Sequence, residues 1–449
     1  MFLRFPFLTL RTVVTSLSSA DFEILAPAGS RESFAAALAA GADAVYLGVG
    51  ALNMRSLAAS TFEKEDLAAL VESAHAAGVR LYLTVNTVIF DEDLPELERV
   101  LDAAKAARVD AVIASDTAVM MRARARGLIV HLSTQVNVAN LDAVKFYAQF
   151  ADVIVLAREL TLEQTAAIAE GIRREGVVGP SGRPVRIELF VHGALCMAVS
   201  GKCYLSLHTR GQSANRGACL QNCRRTYVVK DEVRGTELEI DNGYLMSPKD
   251  LKTIELMPRL VRAGVSIFKI EGRARSPEYV LETVRCYSEA LKCALAGQWS
   301  EERLADWNAR LSKVFNRGFW TGHYLGETAG EWTSGYGSKA TEKKTALGRV
   351  CNYFARNGIG HAELFAGEVC PGEKLLVTGP TTGAVVWTLK SLYVDERPAD
   401  SARKGDSITF PVPERIRPGD QLYKLVPVER RDERDPGSYR AEPNPSARR

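Results

Sequence analysis

Four cysteines, Cys196, Cys203, Cys219 and Cys223, fall in one 28-residue window with the spacing C-x6-C-x15-C-x3-C, and they are half of the eight in the chain. Thiolates ligate soft metals and iron–sulfur clusters, and four that converge complete a tetrahedral or cubane site. The spacing is neither the C-x2-C pair of a zinc ribbon nor the C-x2-C-x2-C run of a ferredoxin, so iron–sulfur, zinc and plain buried or redox thiols stay open on spacing alone. The surrounding segment is basic. From Cys196 to Gly235, Lys202, Arg210, Arg216, Arg224, Arg225, Lys230 and Arg234 face only Asp231 and Glu232. Arg210, Arg216, Arg224 and Arg225 are candidates for a phosphate backbone, with Tyr204 or Tyr227 placed to stack on an unpaired base. A solvated loop whose arginines pair with local acids would read the same way.

A second set of polar residues stands where strands end. Glu271 and Arg273 in the run KIEGR follow an apolar strand directly, and a carboxylate there can take a proton or orient a hydroxyl. A structural ion pair with Arg275 or Lys269 is the plainer alternative. His192 ends another strand four residues before the first clustered cysteine, as an acid–base group or a hydrogen-bond donor to a ligating sulfur. Asn86, Asp116, Gln135 and Arg158 also end or follow strands. Arg55, with its planar fork, suits a carboxylate or phosphate. Cys286 and Cys293, seven apart on one helix, and Cys351 and Cys370 read as packed thiols. No H-E-x-x-H and no G-x-S-x-G is present, and the six histidines show no triad spacing.

The elements that must position these residues alternate. Short apolar runs at 22–26, 42–47, 80–85, 110–115, 128–132, 152–156, 187–192 and 265–270 are each followed by a stretch of helical periodicity. Thr161 with Gln164 forms a capping box. Ser247-Pro248 and Ser276-Pro277 each place an N-cap before a proline, and Ala-Gly pairs at 40–41, 77–78 and 263–264 close helices. Eight strand–helix units predict an α/β fold, a (β/α)8 TIM-type barrel with its active site at the strands' C-terminal ends. About 55 residues separate strand seven from a helix expected at Lys249, so the Cys-rich loop, 192–247, is an insertion over the catalytic face. The barrel domain is read as 21–335. Turn-rich alternating strands at 340–428 predict a small C-terminal antiparallel β-barrel, and the charged tail 429–449 is read as disordered.

The 449 residues accommodate one large domain of about 250–330 residues and a smaller one. A net charge of +3 is too small to announce a nucleic-acid binder by itself. Residues 1–20 imitate a secretory signal, but Pro6 and Arg11 interrupt the apolar run, and we read them as a disordered extension or an early start. No other run of 18 apolar residues exists, so no membrane partner is expected and the reading is cytoplasmic.

EILAPAGS (Glu23–Ser30), GADAVYLG (Gly41–Gly48), HLSTQVNVAN (His131–Asn140), SGKCYLS (Ser200–Ser206), ANRGACLQNCR (Ala214–Arg224), KIEGRARSPEYV (Lys269–Val280) and NRGFWTGHYLG (Asn316–Gly326) together resemble the collagenase-like peptidase U32 family over residues 22 to about 330. The resemblance implies an iron–sulfur RNA-modifying enzyme. It implies that Cys196, Cys203, Cys219 and Cys223 hold a 4Fe-4S cluster, with zinc as the alternative. The reaction implied is O2-independent hydroxylation at C5 of the wobble uridine of tRNA, with prephenate, a small dicarboxylate, as co-substrate. Glu271, Arg273 and His192 are the catalytic candidates, and Arg55, Asn86, Gln135, Arg158 and Lys269 the substrate candidates. The family name leaves a U32-type peptidase as one alternative. Hydroxylation of a 23S rRNA cytidine and a zinc-stabilised RNA-binding module are others. The oligomeric state is left open.

Overall fold

A computed structural model describes residues 21–56, 62–227, 244–327, 330–335 and 337–428. The readings of 1–20 and 429–449, and Lys230, Asp231, Glu232 and Arg234 of the basic segment, lie outside the described residues.

The barrel region carries β1 (Glu23–Pro27), β2 (Ala44–Leu47), β3 (Arg80–Val85), β4 (Ala111–Ala114), β5 (Val130–Leu132), β6 (Val153–Val155), β7 (Arg186–Ala194), β8 (Asp250–Lys252) and β9 (Val265–Ile270). β1 to β7 pair in parallel in chain order, and β9 closes the ring by pairing in parallel with both β7 and β1. The closed eight-strand barrel expected from sequence is therefore present. Strand alternation sends side chains to opposite faces. Leu25, Tyr46, Tyr82, Ile113, Val153 and Ile267 fill the interior, while Ile24, Val45, Leu47, Leu83 and Val112 pack outward against the helices. Both faces are buried, so the strands read as continuous apolar runs.

Helices α1 (Arg31–Ala39), α2 (Leu67–Ala76), α3 (Leu94–Ala107), α4 (Thr117–Ala125), α5 (Leu141–Tyr147) and α6 (Leu162–Glu175) occupy the first six crossovers. The capping box of Thr161 and Gln164 is formed, and Ser276 stands at the N-cap position of a long helix that begins at Pro277. Ser247-Pro248 is a correction. It starts no helix: Pro248 bridges to Trp332, and β8 runs antiparallel to the end of β7. The helix after the insertion begins later, at Met257. After α7 (Leu205–Arg210), inside the insertion, come α8 (Met257–Arg262), α9 (Pro277–Leu295) and α10 (Glu301–Lys313), and the two-residue strand β10 (Phe319–Trp320) lies parallel to β8.

The C-terminal strands are β11 (Glu342–Phe354), β12 (Ile359–Leu364), β13 (Glu368–Val369), β14 (Lys374–Gly379), β15 (Gly383–Thr388), β16 (Tyr393–Val394), β17 (Arg397–Pro398), β18 (Ala402–Arg403), β19 (Ser407–Pro411) and β20 (Gln421–Pro427). Eight of them form an antiparallel sheet around a core that includes Leu347, Leu375, Ile408 and Phe410. Ala384 and Leu376 pack into the barrel's own core cluster, and Gly383 abuts Ala35 and Ala36 of α1.

Candidate functional site

The C-terminal ends of the barrel strands open into a cavity of about 520 Å³. Strand ends supply Tyr46, Thr84, Asn86, Gln135, Arg158, Phe190, Lys269, Glu271 and Arg273, and the insertion supplies Cys196, Cys203, Tyr204, Cys219 and Cys223. The structure thus brings all four clustered cysteines to the same cavity as the KIEGR residues, although the two motifs lie far apart in sequence.

Glu271 is the lone carboxylate on this lining among the described residues, against Arg55, Arg158, Lys202, Arg224, Lys269, Arg273 and Arg275. Its Oε1 accepts from Arg55 Nη2 at 3.1 Å. Burial pushes the Glu271 carboxyl up, but Arg55, Arg275 and Arg273 outweigh it and hold the group below the ordinary carboxylate range. Arg273 is 8% exposed, and its Nη1 donates only to neutral acceptors, Thr84 Oγ1 at 2.9 Å and Asn53 Oδ1 at 3.1 Å. Burial pulls its pKa down to about 10. Asn53 Oδ1 also accepts from the backbone N–H of Arg55 at 3.1 Å, so one amide orients both arginines. Deeper in the barrel, Lys269 Nζ donates to Glu188 Oε1 at 2.6 Å and lies 4.7 Å from the centre of the Tyr46 ring. The second oxygen of Glu188 has no hydrogen-bond partner among the described residues. The cavity carries an excess of positive charge that an anionic ligand would balance.

Asn86 Nδ2 donates to Gln135 Oε1 at 2.6 Å, and Arg158 Nη2 donates to Ser200 Oγ at 2.7 Å, tying the barrel rim to the insertion. Tyr204 is 72% exposed at the mouth, and Arg210 and Arg225 are exposed on the insertion. Cys196 is exposed, while Cys203, Cys219 and Cys223 are half-buried. Burial pushes the Cys223 thiol up; Arg224 opposes this, and Cys196, Cys219 and Cys203 are near enough to raise it further. Among the described residues no three Cys, His, Asp or Glu side chains gather tightly enough to hold one metal ion.

Five residues read from sequence as functional sit elsewhere or are engaged elsewhere. His192 does not line the cavity. It is 1% exposed among the rings of Tyr279, Tyr287 and Phe319, with Nδ1 3.3 Å from Tyr287 Oη, and burial pulls its pKa down to about 3. It packs as a neutral ring between barrel and helix, and among the described residues no sulfur is its partner. Arg216 is not open to phosphate: its guanidinium forks onto Asp93 and donates to Val88 O at 3.0 Å. Arg224 is spent on backbone, donating to Pro248 O at 2.7 Å and to Leu195 O. Asp116 caps α4 through Ala118 N at 2.8 Å. Tyr227 donates to Asn222 O at 2.7 Å. Cys286 and Cys293 are buried, in agreement with a packing role.

Sequence reasoning missed Tyr46, Asn53, Thr84, Glu188, Ser200 and Arg275. Tyr46 and Thr84 are inward positions of their strands, so strand parity was a usable signal for those two, while Arg275 lies in the turn beyond β9. Nothing local marked Asn53 or Ser200.

A (β/α)8 barrel with its charged side chains gathered at the C-terminal mouth is the arrangement that barrel enzymes use. A profile of peptidase family U32 matches residues 29–334, and the chain belongs to that family. It is 52% identical over 405 residues to a protein of Porphyromonas gingivalis named collagenase, covering 90% of this chain and 98% of that one. It is 36% identical over 341 residues to tRNA hydroxylation protein P1 of Bacillus subtilis, covering 74% of this chain and 77% of that one. The 23S rRNA 5-hydroxycytidine C2501 synthase of Escherichia coli is 35% identical over 277 residues, covering 62% of this chain and 40% of that one.

Proposed function

We propose that this chain is an RNA-modifying enzyme that hydroxylates uridine at C5 in the wobble position of tRNA without O2. The observation that carries the reading is the meeting of the four cysteines with Glu271, Arg55, Arg273 and Lys269 on one cavity. Relatives named for hydroxylation of tRNA and 23S rRNA support RNA as the substrate class.

Four thiols line one cavity, the donor type and number that an iron–sulfur cluster takes. Cys196, Cys203, Cys219 and Cys223 would hold the cluster, which when bound supplies one-electron redox capacity at the cavity wall. The chain's own residues do the rest. Arg55 keeps Glu271 ionised, so a carboxylate stands in the cavity as a proton acceptor. Lys269, Arg273 and Arg55 give an anion a desolvated, cationic seat, which suits a small dicarboxylate co-substrate such as prephenate. Tyr204 presents an exposed ring on which an unstacked base can lie, and Arg210 and Arg225, exposed on the same insertion, are available to phosphates.

The name of the P. gingivalis relative favours a second reading, a peptidase. The chemistry of the cavity does not reinforce it. A serine–histidine contact exists, Ser407 Oγ to His361 Nε2 at 2.8 Å, but it lies across β12 and β19 of the C-terminal sheet. Anaerobic purification followed by iron, sulfide and zinc counts tests the proposal. Iron and sulfide near about four each support it. One zinc without sulfide, together with gelatin cleavage by that preparation, would replace it with the peptidase.

A further inference from the structure

We infer that Arg216 and Asp93 form a latch that seats the cysteine segment on the barrel, so the thiol constellation is built before any cluster arrives. The guanidinium of Arg216 grips both oxygens of Asp93, on the segment leading into α3, with Nη2 to Oδ1 at 3.2 Å. It also lies 4.1 Å from the centre of the Phe90 ring and donates to Val88 O at 3.0 Å. The backbone reinforces this, because Val88 N–H donates to Asn215 O at 3.0 Å. Asn215 Nδ2 in turn donates to Gly201 O at 2.7 Å, tying the stretch before Cys203 to the stretch before Cys219.

The next residue makes the seat close-fitting. Gly217 has φ +87°, and a Cβ there would stand 2.1 Å from Ser56 Oγ and 3.0 Å from Asn53 O. Asn53 is the residue whose side chain orients Arg55 and Arg273. The latch therefore presses the backbone just ahead of Cys219 against the loop that carries Asn53 and Arg55. A bidentate, stacked arginine holds geometry in a way a lysine does not. Arg216 is thus a positioning residue for the thiols, in place of a phosphate contact.

The role at the cluster rests on the proposed function, but the latch itself does not. The test takes the full chain with Arg216→Ala, Arg216→Lys, Asp93→Ala and the reversed pair Arg216→Asp with Asp93→Arg. Three measurements are made: alkylation of the metal-free thiols by iodoacetamide, iron and sulfide after anaerobic reconstitution, and tRNA affinity. Arg216→Ala and Asp93→Ala should alkylate faster at Cys219 and Cys223 and lose cluster affinity by about 10-fold, the usual cost of removing a group that orients a ligand. Arg216→Lys should show a smaller change in the same direction, and the reversed pair should regain protection. The barrel's melting temperature should hold. Wild-type alkylation in Arg216→Ala would overturn the latch, and so would weakened tRNA binding with wild-type thiol protection, which would make Arg216 a phosphate contact. If the wild-type chain takes up no iron, the cluster reading fails while the alkylation comparison still decides the latch.

Discussion

A carboxylate surrounded by guanidinium groups keeps its charge, and Glu271 shows what that costs when the charge is removed. Glu271→Gln leaves Arg55 without its anion in a poorly solvated cavity, which should destabilise the fold by about 3 kcal/mol and abolish modification. Because its folded pKa is depressed, the Glu271 contribution is fully present above the unfolded value near about 4.3 and is lost as pH falls through the lower folded value. Urea midpoints of wild type and Glu271→Gln, taken from pH 7 down to pH 3, should differ most at neutral pH and converge in acid. His192 carries the opposite lesson. Its folded pKa, about 3, lies below that of an unfolded histidine, so the unfolded chain binds the proton first. Stability should therefore fall with acid from about pH 6.5, by about 1.4 kcal/mol per pH unit for this one group. His192→Phe should flatten that slope and leave RNA modification intact; loss of modification in a folded variant would restore a catalytic role.

At the scale of elements, the barrel was legible because each of its strands is buried on both faces and each crossover is punctuated by a cap or a glycine. The orientation of His192 was not. Glu188 and Phe190 face the barrel interior, and plain alternation would send His192 there too. The β7–β9 register shifts between Phe190 and His192, and the parity breaks at that irregularity. The role of Arg216 was hidden for another reason: its partner Asp93 stands 123 residues away in sequence. β8, three residues long, carried too little pattern to be seen and was read as the start of a helix. One glycine sets the site's dimensions. Gly29, after β1, packs so closely that a Cβ would stand 1.6 Å from Arg273 O. Gly29→Ala should displace Arg273 and weaken the binding of an anionic co-substrate. A structure of the variant or a co-substrate titration checks this; unchanged affinity would separate Arg273 from ligand binding.

The two parts of the chain share their packing at the scale of the whole molecule. Leu376 and Ala384 of the C-terminal sheet belong to the same apolar cluster as the barrel, and Lys344 Nζ reaches Glu278 Oε1 of α9 at 2.9 Å. Burial across a common core couples the parts, so calorimetry should show a single cooperative transition. Two well-separated transitions would show that the sheet folds independently. No helix among the described residues is long and apolar enough to cross a membrane.

If the four cysteines and the Glu271 cluster serve one reaction on RNA, mass spectrometry of tRNA nucleosides decides it, taken from a host lacking 5-hydroxyuridine and expressing the wild-type chain, Cys196→Ser or Glu271→Gln. 5-Hydroxyuridine is expected with the wild-type chain alone. The same nucleoside at wild-type level in Cys196→Ser, or no new nucleoside in any RNA despite a stable, fully expressed wild-type chain, would contradict it.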